Sequence, residues 1–145
     1  MSTRPLSILI VEDNEDDLYI LKRAFRLAGV SNTLYHVENG QQAIDYLQGI
    51  GAYEDRTAHP LPSLVLLDLK LPVKPGLAVL AWAKAQAALK GVVIVILTSS
   101  NEDTDIALAY QLGVNAFLVK PSGAEKMKEI VLALDGFWLK QNTYR

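Results

Sequence analysis

The sequence predicts a doubly wound α/β domain, and three observations lead there. Apolar, β-branched runs alternate with helix-period segments five times along 145 residues. Two of those runs, 64–67 and 92–97, are apolar at consecutive positions, the pattern of strands covered on both faces of a parallel sheet. Glycines 29, 91 and 113 stand just past the ends of helix-period segments, where a helix stops most readily. Parallel strands need right-handed helical crossovers, which cover both faces of the sheet. For five strands the expected order is 2-1-3-4-5.

The elements follow in turn. Residues 7–11 are a β-branched apolar strand that stops at Glu12 and Asp13, delivering two acids to its carboxyl end. Over 16–28, Leu18, Leu21, Phe25 and Ala28 recur every three or four residues, so this helix turns Lys22, Arg23 and Arg26 toward water. A short strand spans 33–37. Asn39 and Gly40 open a helix to about residue 47, with Ala43, Ile44 and Leu47 inward. Residues 49–63 carry two glycines, two prolines and mixed charge, and read as one long inserted loop. The third strand ends at Asp68, ahead of a loop interrupted by Pro72, Pro75 and Gly76. An alanine-rich helix is expected over 77–89, with Leu77, Leu80 and Ala81 on its inner side. The fourth strand, 92–97, ends at Thr98, Ser99 and Ser100. Ser100 and Asp103 resemble a capping box with Asp in the place of Glu, opening a helix to Leu112. Residues 115–119 form the fifth strand, ending at Lys120 and Pro121. The last helix, 124–139, sets Met127, Ile130, Val131, Leu134 and Trp138 on one stripe.

This length suits one domain, 1–145, with no second domain expected. Half the residues are apolar and a fifth are charged, as in ordinary globular proteins. A net charge of −2 with no run of Lys and Arg argues against direct nucleic-acid binding. With no cysteine, disulfides and thiolate metal sites are excluded. The apolar runs are only strand-length and residues 1–5 lack a targeting segment, so the expected location is the cytoplasm, off the membrane.

In a doubly wound sheet, the carboxyl ends of strands one, three, four and five share one edge. That edge would gather Glu12 and Asp13, Asp68, Thr98 and Lys120. Three carboxylates in one pocket repel one another and recruit a cation. Hard oxygen ligands with no His or Cys suit Mg²⁺, which keeps several waters, better than zinc or copper. Such a set is matched to phosphoryl transfer onto a carboxylate, with Asp68 as nucleophile, Lys120 and Thr98 on the phosphoryl oxygens, and the metal neutralising charge. Each residue also has a plainer role: helix-terminal acids for Glu12 and Asp13, a cap for Asp68 or Thr98, a solvated charge for Lys120. Their occurrence at four strand ends in this order is hard to obtain from capping alone.

These motifs, with the acidic pair after an apolar strand, Asp68 in LLDLKLP, Thr98 in ILTSS and Lys120 in FLVKP, resemble the receiver domain of two-component response regulators over essentially the whole chain. The resemblance implies a flavodoxin-like domain in which Asp68 accepts a phosphoryl group from a phosphohistidine on a sensor histidine kinase. It implies Mg²⁺ held by Glu12, Asp13, Asp68 and the backbone carbonyl of Lys70, with Thr98 and Lys120 on the phosphoryl group and a cis Lys120–Pro121 bond. It also assigns Phe117 as the aromatic whose rotamer follows Thr98, although a plain core role fits Phe117 equally well. Pro75 departs from the acid or amide common before the glycine of this loop. The insertion at 49–63 and the Phe137, Trp138, Leu139 ending are similar to the stand-alone response regulators of cyanobacterial phytochromes, which implies a phytochrome-type kinase as partner.

Phosphorylation at such a site would bias a surface formed by the fourth and fifth strands and the last two helices. Output is then a protein contact, onward transfer to a phosphotransfer protein, or a homodimer through the last helix, because Phe137 and Trp138 do not both fit one core stripe. Two other readings compete. One is a phosphorylation-independent interaction module. The other is a true enzyme, either a flavodoxin-type carrier or a phosphohydrolase. Against the carrier, the first strand lacks a hydroxyl-rich phosphate loop; against the hydrolase, Lys70 stands where its second aspartate would be. The expectation is a phosphoacceptor, not an enzyme with turnover.

Overall fold

The computed structural model describes the backbone of residues 6–141 and the side chains of residues 6–138; the targeting expectation for residues 1–5 and the side chain of Leu139 lie outside them. Five parallel strands, β1 (Ile8–Val11), β2 (Leu34–Val37), β3 (Leu64–Leu67), β4 (Val93–Thr98) and β5 (Ala116–Val119), form one sheet in the order 2-1-3-4-5. Between and after them run α1 (Glu15–Leu27), α2 (Gly40–Gln48), α3 (Gly76–Lys84), α4 (Asp103–Gln111) and α5 (Ala124–Leu134). Every residue of β1, β3 and β4 is buried, while β5 at the sheet edge is only half-buried. That explains the continuous apolar runs: alternate residues of one strand feed two different cores. Leu9, Val11, Val65 and Leu67 pack toward α2 and α3, whereas Ile8, Ile10, Leu64 and Leu66 pack toward α1 and α5. The register pairs Val11 with both Val37 and Leu67, and Leu67 with Ile96, so the strands end nearly level.

Helix ends follow local chemistry. Asn14 caps α1 by accepting from the Asp17 N–H at 2.9 Å, and Asn39 caps α2 by accepting from Gln42 at 2.8 Å. Three expectations at helix ends are corrected. The α3 helix stops at Lys84 rather than residue 89, because Gln86 leaves the helical region and its side-chain amide takes the carbonyl of Trp82 at 3.1 Å. Ala81 consequently faces outward, and Val79, Leu80 and Ala83 form the inner face. Ser100 and Asp103 do not form a capping box: Glu102 occupies the cap position, and the Ser100 hydroxyl donates to Asp105 Oδ2 at 2.7 Å. Beyond α5 the chain widens into a π-type helical turn over Asp135–Gln141.

The Lys120–Pro121 bond is also not as expected. No peptide bond among the described residues is cis. An X–Pro bond prefers trans by only about 0.5–1 kcal/mol, so the dipeptide itself does not determine the isomer. Here the Lys120 N–H donates to the Thr98 carbonyl at 2.7 Å, and the trans chain still brings its side chain to the strand ends.

The segment expected as a long loop is a folded lobe. Gly51–Tyr53 forms a 3₁₀ turn, and Arg56 turns back over the end of α2. Its guanidinium donates to the carbonyls of Tyr46 at 2.7 Å, Leu47 at 2.8 Å and His59 at 3.1 Å. Carbonyls at a helix carboxyl end lack intrahelical partners, and a cation there satisfies both hydrogen bonding and the helix dipole. Tyr46 packs against Tyr53 and His59, and its hydroxyl donates to the Pro60 carbonyl at 3.0 Å. Gly49 turns the chain in the left-handed region at φ 73°, and any Cβ there would strike the Arg56 guanidinium.

Candidate functional site at the carboxyl edge

Strand β1 ends where the Glu12 N–H donates to Val37 O at 3.1 Å, and strand β3 where the Asp68 N–H donates to Val11 O at 3.2 Å. Both acids therefore leave the sheet one residue past its last paired layer. Glu12 and Asp68 are buried, 5% exposed each, while Asp13 is open to solvent. The turn after β3 is drawn tight beneath Asp68: the Gly76 N–H donates to Leu69 O at 2.8 Å, and a Cβ on Gly76 would collide with the Asp68 carbonyl oxygen. Pro75 is accommodated as the residue preceding α3, with its carbonyl accepting from Ala78 and Val79. At the tip of that turn Val73 is held at φ 70° and exposed, an unfavourable region for a β-branched side chain.

Asp68 is gripped on both oxygens. The Thr98 hydroxyl donates to Oδ1 and the Lys120 ammonium to Oδ2, each at 2.7 Å, and the Lys70 N–H adds a longer bond to Oδ1 at 3.3 Å. The same ammonium donates to Glu12 Oε1 at 2.6 Å and to Asp17 Oδ2 at 2.8 Å. One largely covered cation, its side chain 10% exposed, thus spends all three of its hydrogens on three carboxylates.

Burial opposes charge on every member, and the bonds decide the outcome. For Glu12, burial dominates and pushes the carboxyl up to about 7, despite the bond from Lys120. For Asp68, burial is outweighed by the bonds from Lys120 and Thr98, which hold the carboxyl below its ordinary range. For Lys120, burial is likewise outweighed by Asp17, Asp68 and Glu12, and the ammonium is held charged well above its ordinary range. Asp68, which has the Thr98 and Lys70 donors as well as Lys120, is thus favoured in its ionised form over Glu12, which the charge of Asp68 pushes the other way.

Glu12, Asp13 and Asp68 each offer an oxygen within 4.8 Å of the others. An all-carboxylate set already neutralising one ammonium fits a hard divalent cation. Phe117 sits on β5, half-buried against the core between the sheet and helices α2, α3 and α4. The geometry brings together Glu12, Asp13, Asp68, Thr98 and Lys120 as the strand-end argument expects.

The model of the response regulator receiver domain matches residues 8–132. The chain belongs to this family. Among curated relatives, the receiver is 34% identical over 142 residues to Response regulator Rcp1 of Synechocystis, covering 98% of this chain and 95% of that protein. Among solved structures, it is similar to the phosphorylated cyanobacterial phytochrome response regulator RcpA, with a TM-score of 0.89 at 33% identity over 97% of this chain and 99% of that one. It is also similar to the Mn²⁺-bound form of Rcp1, with a TM-score of 0.86 at 34% identity and the same coverage.

Two contacts of this receiver escape a strand-end reading. Asp17 lies in the first turn of α1, with its carboxylate on the Lys120 ammonium, but among Glu15, Asp16 and Asp17 it looks like any acid of a first turn. His36 on β2 places Nε2 2.7 Å from the Glu12 carbonyl oxygen, so Nε2 carries the proton. Its signal is weak, because a lone histidine in a half-buried strand has no sequence partner.

Proposed function

We propose that this receiver accepts a phosphoryl group on Asp68 from a sensor histidine kinase in a Mg²⁺-dependent reaction. The observation that carries the reading is the grip on Asp68: hydroxyl on one oxygen and ammonium on the other, both at 2.7 Å, beside two further carboxylates. Glu12, Asp13 and Asp68, with the carbonyl of Lys70, would hold the metal, which when bound supplies positive charge against the phosphoryl oxygens. Asp68 is the attacking group and is kept ionised by its two donors. In-line attack of one carboxylate oxygen on phosphorus forms the acyl phosphate while the bond to the donor's histidine nitrogen breaks. Lys120 and Thr98 then donate to oxygens of the transferred group. Their departure from the Asp68 carboxylate couples the site to β4, β5 and Phe117.

The similarity to RcpA and Rcp1 supports a phytochrome-type kinase as donor. Among the described residues no helix is long and apolar enough to cross a membrane; we take the protein to be cytoplasmic. Output through a second copy is supported by the β5–α5 edge. There Ala116, Leu118, Ile130, Leu134, Phe137 and Trp138 line an apolar groove of about 270 Å³, with Phe137 54% exposed. Onward transfer to a phosphotransfer protein is the other outlet.

Incubation with acetyl phosphate and Mg²⁺ is expected to add one phosphoryl group, and none to Asp68→Asn. Equal labelling of that variant would refute the assignment. Sedimentation with and without beryllofluoride then reads whether filling the site changes association.

A further inference from the structure

We propose that Asp17 is a positioning residue that gives the Lys120 ammonium an anchor outside the metal ligands, easing cation entry and restraining Lys120 from the phosphoryl group. The inference rests on the phosphoacceptor reading above. Of the three carboxylates on Lys120, Glu12 and Asp68 also belong to the group of oxygens suited to a divalent cation, and Asp17 does not. An ammonium and a metal ion competing for the same two buried carboxylates repel each other at short range. Something must draw the ammonium aside as the metal enters. Asp17 is placed for this. Its backbone is fixed in the first turn of α1 by the Asn14 cap, and its carboxylate is already on Nζ at 2.8 Å. Its side chain is also the wettest of the three, 40% exposed where those of Glu12 and Asp68 are each 6%.

The same contact has an opposite effect on the second ligand. A carboxylate that holds Lys120 competes with any phosphoryl oxygen for that ammonium. Asp17 therefore trades affinity for the anion against affinity for the cation, a split that loss of packing would not produce.

The test uses the whole protein and two titrations: Mg²⁺ alone by calorimetry, and beryllofluoride at saturating Mg²⁺ by the ¹⁹F signal of the bound ion. For Asp17→Asn the Mg²⁺ Kd is expected to rise about threefold and the beryllofluoride Kd to fall about threefold, the scale of a half-exposed ion pair. Asp17→Glu keeps both near wild type. Asp16→Asn removes the same charge from an exposed neighbour and moves both values far less. In a Lys120→Met background, Asp17→Asn leaves the Mg²⁺ Kd unchanged, because the effect acts through Lys120. The proposal is overturned if both affinities weaken together, if Asp16→Asn does as much, or if the Mg²⁺ effect persists without Lys120. A wild-type protein that binds Mg²⁺ but no beryllofluoride would instead overturn the phosphoacceptor reading, while the Mg²⁺ cycle still decides for or against Asp17.

Discussion

Two cations, Lys120 at the carboxyl edge and Arg56 in the inserted lobe, each gather three oxygen partners, and the partners make them different devices. Arg56 donates to the neutral carbonyls of Tyr46 and Leu47 in the last turn of α2 and of His59 in its own lobe, all backbone atoms. The one further donor to these carbonyls among the described bonds is a fixed backbone group, the Gly49 N–H on Tyr46 O at 3.1 Å, so the contact is scaffolding. Lys120 donates to Glu12, Asp17 and Asp68, carboxylates that a divalent cation or a phosphoryl group also competes for. A flexible ammonium among contested partners is a movable part. Counting hydrogen bonds would rank the two alike; asking what else binds their acceptors separates them.

The largest expected effect lies on the movable side. Lys120→Ala should cut phosphoryl uptake from acetyl phosphate at least tenfold, the scale of removing one charged donor from a developing phosphoryl oxygen. It should also leave three acids without their counter-ion, so Mg²⁺ should raise the variant's Tm by more than it raises the wild type's. A smaller or equal Tm gain would mean that Lys120 does not occupy the cation's place.

On the fixed side, Arg56→Ala should cost about 2 kcal/mol of stability in urea, for charged donors lost from helix-end carbonyls. Phosphoryl uptake by the folded variant should stay at the wild-type level. If labelling fell while stability held, the lobe would be part of the site and the contrast would collapse.

The smallest effect sharpens the boundary between the two. Val73 lies in the turn after Asp68, is exposed, and has a positive φ that is unfavourable for a β-branched residue. Val73→Gly should raise stability by about 1 kcal/mol without changing labelling. An altered labelling rate would show that the turn's shape, not only its acids, sets the reactivity of Asp68.

The same contrast accounts for what was legible beforehand. Strands β1, β3 and β4 announce themselves because burial on both faces leaves no polar alternation to misread. Glu12, Asp68, Thr98 and Lys120 are legible because each interrupts or ends such a run, where a polar residue needs a reason. Asp17 is hidden in a helix start whose acids have an ordinary explanation, and Arg56 in a loop whose fold is set by where one guanidinium lands. The end of α3 depends on a single side-chain bond from Gln86 to Trp82, below the resolution of any periodicity. The isomer of the Lys120–Pro121 bond is not legible at all, because the dipeptide itself carries too small a preference to set it.

Of the four clustered acids, Glu12, Asp13, Asp17 and Asp68, it is Asp68 that we propose takes the phosphoryl group. Borohydride reduces an acyl phosphate of aspartate to homoserine and leaves free carboxylates alone, so it marks the acceptor covalently. After treatment with acetyl phosphate and Mg²⁺, peptide mass spectrometry should find homoserine at position 68 and unaltered residues at Glu12, Asp13 and Asp17. Homoserine at Asp13 or Asp17 with Asp68 intact would contradict it.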